Sequence, residues 1–73
     1  MPKLRVLSGR QVCAILEANG FVFVSHKGSH MKLQHQLENV TYTAIVPDHK
    51  EVALGTLGDI VKRSGLPRDL FEA

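Results

Sequence analysis

The chain has 73 residues, a formal charge of +2, and 44% hydrophobic and 22% charged residues, a balance ordinary for one soluble globular domain. At this length only about 60% of the unfolded surface is buried, so a large catalytic core is excluded. No internal repeat or membrane-length apolar run occurs, and the first residues lack the apolar stretch of a signal peptide, so a cytoplasmic location is expected.

A first helix is predicted over residues 9–19. Ser8 and Gln11 have the spacing of a capping box, and Leu7 and Val12 that of a hydrophobic staple. Val12, Ile15 and Leu16 follow at helical spacing, and Gly20 supplies the stop. The single Cys13 lies within this pattern and reads as a packing residue. Residues 21–26 alternate and are rich in strand formers. Lys27-Gly28-Ser29 then reads as a short hairpin loop, and residues 30–35 as a second strand.

A three-residue loop sets His26 opposite His30. Alternation then places Val22, Val24, His26, His30, Lys32 and Gln34 on one face. Phe21, Phe23, Met31 and Leu33 share the other, which is the better core. The histidines are thus expected on the sheet face away from the first helix, with Phe23 buried. Residues 36–39 read as a polar connection, and His35 as a surface residue. A third strand spans residues 40–46, with Tyr42, Ala44 and Val46 inward and Thr41 and Thr43 on the histidine face; Pro47 ends it. A charged loop over residues 48–51 precedes a second helix carrying Leu54, Leu57, Ile60 and Val61. Gly65 closes that helix, and a tail with Leu70 and Phe71 follows. The class is α+β in the order α-β-β-β-α, with helices on one face of a three-stranded antiparallel sheet and the other face open.

Three segments in this order resemble the HicA-type (YcfA-like) toxin family. They are the helix ending in Asn19-Gly20-Phe21, the turn Lys27-Gly28-Ser29-His30, and Val46-Pro47-Asp48-His49 followed by Gly55-Thr56-Leu57, Ile60 and Gly65-Leu66. Each motif is short, but the ordered set covers nearly the whole chain. The resemblance implies a single HicA-like domain over residues 1–73 with a double-stranded-RNA-binding-domain-like fold. It implies an RNA endonuclease, an mRNA interferase, paired with a HicB-type antitoxin. It implies that His30, the histidine of Gly28-Ser29-His30, is catalytic. Many relatives carry a second histidine after that motif, where this chain has Met31. The expected register turns Met31 into the core.

The residue chemistry is compatible with that activity. RNA cleavage without a metal needs a base for the ribose 2′-OH, an acid for the leaving oxygen and positive charge on the phosphate. His30 suits either proton transfer. Lys27, Lys32, His26, His49 and Ser29 are candidate RNA contacts, with the backbone N–H groups around Gly28 as an anion nest. The mildly basic balance fits a polyanion. No metal-ligand spacing is present, so neither a metal nor another cofactor is expected. The alternatives are a non-catalytic RNA-binding module of the same shape and a small protein-interaction domain. His30 separates the first of these from a nuclease.

Overall fold

In a computed structural model that describes residues 3–72, α1 (Gly9–Ala18) begins at the expected cap. The Gln11 N–H donates to the Ser8 hydroxyl at 3.1 Å, and the Ser8 N–H donates to the Gln11 side chain at 2.9 Å. Two of the donors that a helix start leaves open are thereby satisfied. Leu7 and Val12 are both buried beside this cap. Gly20 ends the turn at φ 100°, a conformation that favours a residue without Cβ.

Three strands follow, β1 (Val22–Lys27), β2 (His30–Leu37) and β3 (Val40–Pro47), in one antiparallel sheet of order β1-β2-β3. Alternation along β2 and β3 buries Met31, Leu33, Ala44 and Val46 against Val12 and Leu16 of α1. The same face meets Leu57, Ile60 and Val61 of α2 (Leu54–Ser64). Gly65 ends α2 at φ 70°. A short 3-10 helix, Arg68–Phe71, then returns Phe71 to the core with no exposed surface. Both helices therefore cover one sheet face, and the α-β-β-β-α order stands as expected. The arrangement is consistent with the double-stranded-RNA-binding-domain-like shape. No helix among the described residues is long and apolar enough to cross a membrane. Of the expected span 1–73, residues 1, 2 and 73 lie outside the described residues.

Strand β1 corrects the expected register. Near its start the pairs Val22↔Gln34 and Phe23↔Leu33 fall as predicted. The register then shifts between Phe23 and Ser25, and the later pairs are Ser25↔Lys32, His26↔Met31 and Lys27↔His30. Val24 is the extra residue of a bulge, and the turn is the two-residue Gly28-Ser29. One inserted residue sends every later side chain to the opposite face. Lys27, rather than His26, stands opposite His30, and His26 turns with Met31 toward the helices. Val24 ends the unbroken apolar run Phe21-Val22-Phe23-Val24, so the sequence carries no mark of the bulge.

Phe23 also departs from expectation. It shares the side of Leu33 yet is 42% exposed. β1 is an edge strand, and the helix layer closes over Phe21 and Leu33 instead. Phe23→Ala is therefore expected to cost about 1 kcal/mol, against about 3–5 kcal/mol for a fully buried phenylalanine. The denaturation midpoint checks this. The connection over residues 36–39 is tighter than expected. Leu37 pairs with Val40, leaving Glu38-Asn39 as the turn with Glu38 at φ 57°. Glutamate seldom takes that conformation, so nothing at Glu38 itself marks it as the first residue of the turn. His35 is half-buried rather than on the surface, its ring 5.4 Å from Phe21 and 6.5 Å from Tyr42.

Candidate active site

The β1–β2 turn and the loop after β3 meet at one end of the sheet. His30 opens β2 and pairs with Lys27 on one side and Pro47 on the other. The Asp48 N–H donates to the Ser29 carbonyl at 2.6 Å, which ties turn and loop together. The loop is also held by α1, because the Gly9 N–H donates to the His49 carbonyl at 2.9 Å. Gly9 is buried there, and an added Cβ would overlap the Pro47 carbonyl oxygen. Two backbones pressed this closely have no flexible side chain to give way. Gly9→Ala is accordingly expected to lower stability by about 1–3 kcal/mol and to part the helix start from the loop. A shifted denaturation midpoint and faster amide exchange at Gly9 and Val52 would register it.

Met31 is buried under the helices, so the neighbouring His30 side chain faces the open side and is exposed. It lines a concavity of about 440 Å³ with Ile45, Pro47, His49, Ala53 and Thr56. A second concavity of about 280 Å³ adjoins it through Ile45 and Thr56 and runs past Thr43 and Asp59 to Arg63. Lys27, opposite His30, is exposed, and Lys32 lies one alternation farther along β2 on the same face. Beyond it the Gln34 amide donates to the Thr43 hydroxyl at 3.2 Å, as the expected placement of Thr43 on this face requires. Gly28 takes φ 57°, and nothing within 4 Å would meet a Cβ there. The need for glycine is therefore conformational, and the surface above the turn is open.

The structure thus brings together His30, Lys27, Gly28, Ser29, Lys32 and His49 at one end of the open face. It does not bring His26 there. The His26 imidazole lies on the helix side, Nε2 3.6 Å from Asp48 Oδ2, and the same oxygen is 3.2 Å from the Arg10 guanidinium. Phe23 meets the His26 ring edge-on at 6.5 Å. Arg10, His26 and Asp48 join α1, β1 and the loop behind the turn. All three are partly exposed, so the charge pairs add little stability of their own. Asp48 and Arg10 had no signal in the sequence as a linked pair, because their contact spans 38 positions. The lining residues Ile45, Ala53 and Thr56 were missed for the same reason.

Cys13 takes no part in this site. Its sulfur packs 3.9 Å from that of Met31. Burial pushes the thiol up to about 11, with Glu17 and Asp48 adding to the effect, so the nucleophilic thiolate is disfavoured.

No curated protein matches the chain at a significant level. The family model described as HicA toxin of bacterial toxin-antitoxin matches residues 9–66. That span runs from the first residue of α1 to just beyond the Gly65 stop of α2. It includes both the Gly28-Ser29-His30 turn and the Pro47-Asp48-His49 loop that the fold draws together. With the order of elements, the turn and the loop all accounted for over most of its length, the chain belongs to the HicA toxin family of bacterial toxin–antitoxin systems.

Proposed function

We propose that this toxin is a metal-independent RNA endonuclease, an mRNA interferase, with His30 transferring the proton, and that a HicB-type antitoxin restrains it. The observation that carries the reading is His30 itself, an exposed imidazole in a concavity beside Lys27, within a chain of the HicA family. In the reaction the ribose 2′-oxygen loses a proton and attacks the adjacent phosphorus. The P–O5′ bond breaks, and the 5′-oxygen gains a proton. His30 serves one of these transfers. Lys27 and Lys32 offset the charge that builds on the phosphate, and Ser29, His49 and the N–H groups at Gly28 add contacts to it. His26, on the helix side, supports the turn through Asp48 instead of touching RNA. Imidazole proton transfer needs no bound metal. A cognate antitoxin follows from family membership, and covering the His30 concavity is the simplest way for it to block a long substrate.

The test is cleavage of one long RNA by purified protein in EDTA, with and without the cognate antitoxin. Cleavage that the antitoxin suppresses is expected. RNA affinity is expected to fall with salt, with a log–log slope of about −1.5 to −2 if two or three phosphates are neutralised. Intact RNA combined with salt-dependent affinity would favour a binding module. Intact RNA with no salt dependence would favour a surface made only for protein.

A further inference from the structure

We propose that His49 is the second proton-transfer group of this site, so that His30 and His49 together supply the acid and the base. This deepens the ribonuclease reading and rests on it. Cleavage of an RNA backbone moves two protons. One leaves the 2′-OH as the O2′–P bond forms, and one reaches the 5′-oxygen as the P–O5′ bond breaks, giving a 2′,3′-cyclic phosphate and a 5′-hydroxyl end. A single imidazole serves both only if it migrates across the phosphate within one event, whereas two imidazoles flanking the phosphate do so without moving.

The structure holds two imidazoles on one concavity. His30 and His49 both line it, and Pro47 lies between them, paired with His30 in the sheet and two residues before His49. Its volume of about 440 Å³ falls in the range of small-molecule sites. The remaining two histidines are placed elsewhere, His26 against Asp48 and His35 between Phe21 and Tyr42. The loop that carries His49 is tied by backbone hydrogen bonds to the β1–β2 turn and to α1. Its Asp48 N–H bonds Ser29, the His49 N–H donates to Pro47 at 2.9 Å, and the His49 carbonyl accepts from Gly9. These bonds use only the His49 backbone. Among the described residues its imidazole makes no hydrogen bond or ion pair, and the residue is exposed. The backbone is fixed, and the imidazole on the rim is free to meet a proton of a bound phosphodiester. A residue present only to end the strand would need the backbone alone.

His49→Gln and His49→Ala separate these roles, since both spare the backbone bonds. Cleavage by wild type, both variants and His30→Ala is measured from pH 5 to 9, with RNA affinity and circular dichroism alongside. A second substrate carries sulfur in place of the bridging 5′-oxygen at the bond the wild type cuts; a thiolate leaves without a proton. Both His49 variants are expected to fold and to lose far less RNA affinity than rate. They are expected to lose about 10²-fold or more in kcat, and one limb of a bell-shaped pH profile should vanish. Of His30→Ala and His49→Ala, one and not the other should regain its rate on the sulfur substrate, which identifies the acid. A folded His49→Gln protein with wild-type rate and profile overturns the inference, as does rescue of both variants or of neither. A wild type that leaves RNA intact would sink the nuclease reading and this inference with it, whereas a His30→Ala protein as fast as wild type would overturn the His30 assignment and this inference but leave the nuclease reading standing.

Discussion

Replacing His30 by alanine is expected to reduce RNA cleavage by about 10²–10⁴-fold, the usual loss when a general acid or base is removed. The fold should not suffer. The side chain is exposed on the face the helices leave bare, so its truncation opens no cavity. RNA affinity should change little, because Lys27 and Lys32 remain on that face. Expression of wild-type protein should arrest growth, and His30→Ala should grow normally while still capturing the antitoxin, because losing one exposed side chain should not abolish a protein–protein contact. Cleavage rate, circular dichroism and co-purification of the two proteins together check the assignment. A well-folded variant that cuts RNA at the wild-type rate would transfer the site elsewhere. Combined with His49→Ala, the loss should be far less than the product of the two single losses, as for groups that act as a unit.

Phe71→Ala is expected to cost about 3–5 kcal/mol. Phe71 is fully buried and is the bulkiest such side chain. It packs with residues of both helices in the single core cluster. Its carbonyl accepts from the Arg5 N–H at 2.8 Å, and the next residue, Glu72, bridges Leu4. The tail thus closes the core and clasps the segment before α1, although it lies outside the matched span 9–66. A domain of this length holds about 4–11 kcal/mol in all, so the loss removes from about a quarter to all of its stability. The melting temperature should fall by about 15 °C or more. Cleavage would fall with it, in proportion to the unfolded fraction, and would recover on cooling. That recovery distinguishes Phe71→Ala from His30→Ala, which should stay inactive at every temperature. A Phe71→Ala protein as stable as wild type would mean that the tail is not part of the core.

Local chemistry was legible where a few neighbouring residues settle it. The Ser8–Gln11 cap, the Gly20 and Gly65 stops and the burial of Met31, Leu33, Ala44 and Val46 each depend on residues within one turn or one alternation. So was the exposure of His30, because it follows from the burial of Met31 beside it. The position of His26 was not legible. A bulge at an apolar residue leaves the periodic pattern intact while inverting what comes after it, and this one moved His26 from the open face to Asp48. Phe23 failed for a different reason: alternation gives the side of a sheet, whereas burial depends on how far the helices extend over it.

The sequence by itself determined the order of elements, the core face of β2 and β3, the turn at Gly28 and the family to which these motifs belong. Only the tertiary structure decided which histidine accompanies His30. His49 shares its concavity because β3 returns beside β2 and ends level with the turn, and because Gly9 holds the following loop in place. His26 is four residues from His30 in the chain, yet a single extra residue in an edge strand turns it to the opposite side of the sheet. Sequence distance measures reach along the chain, but a site is assembled by strand pairing and loop packing, and those depend on residues that contact each other from far apart.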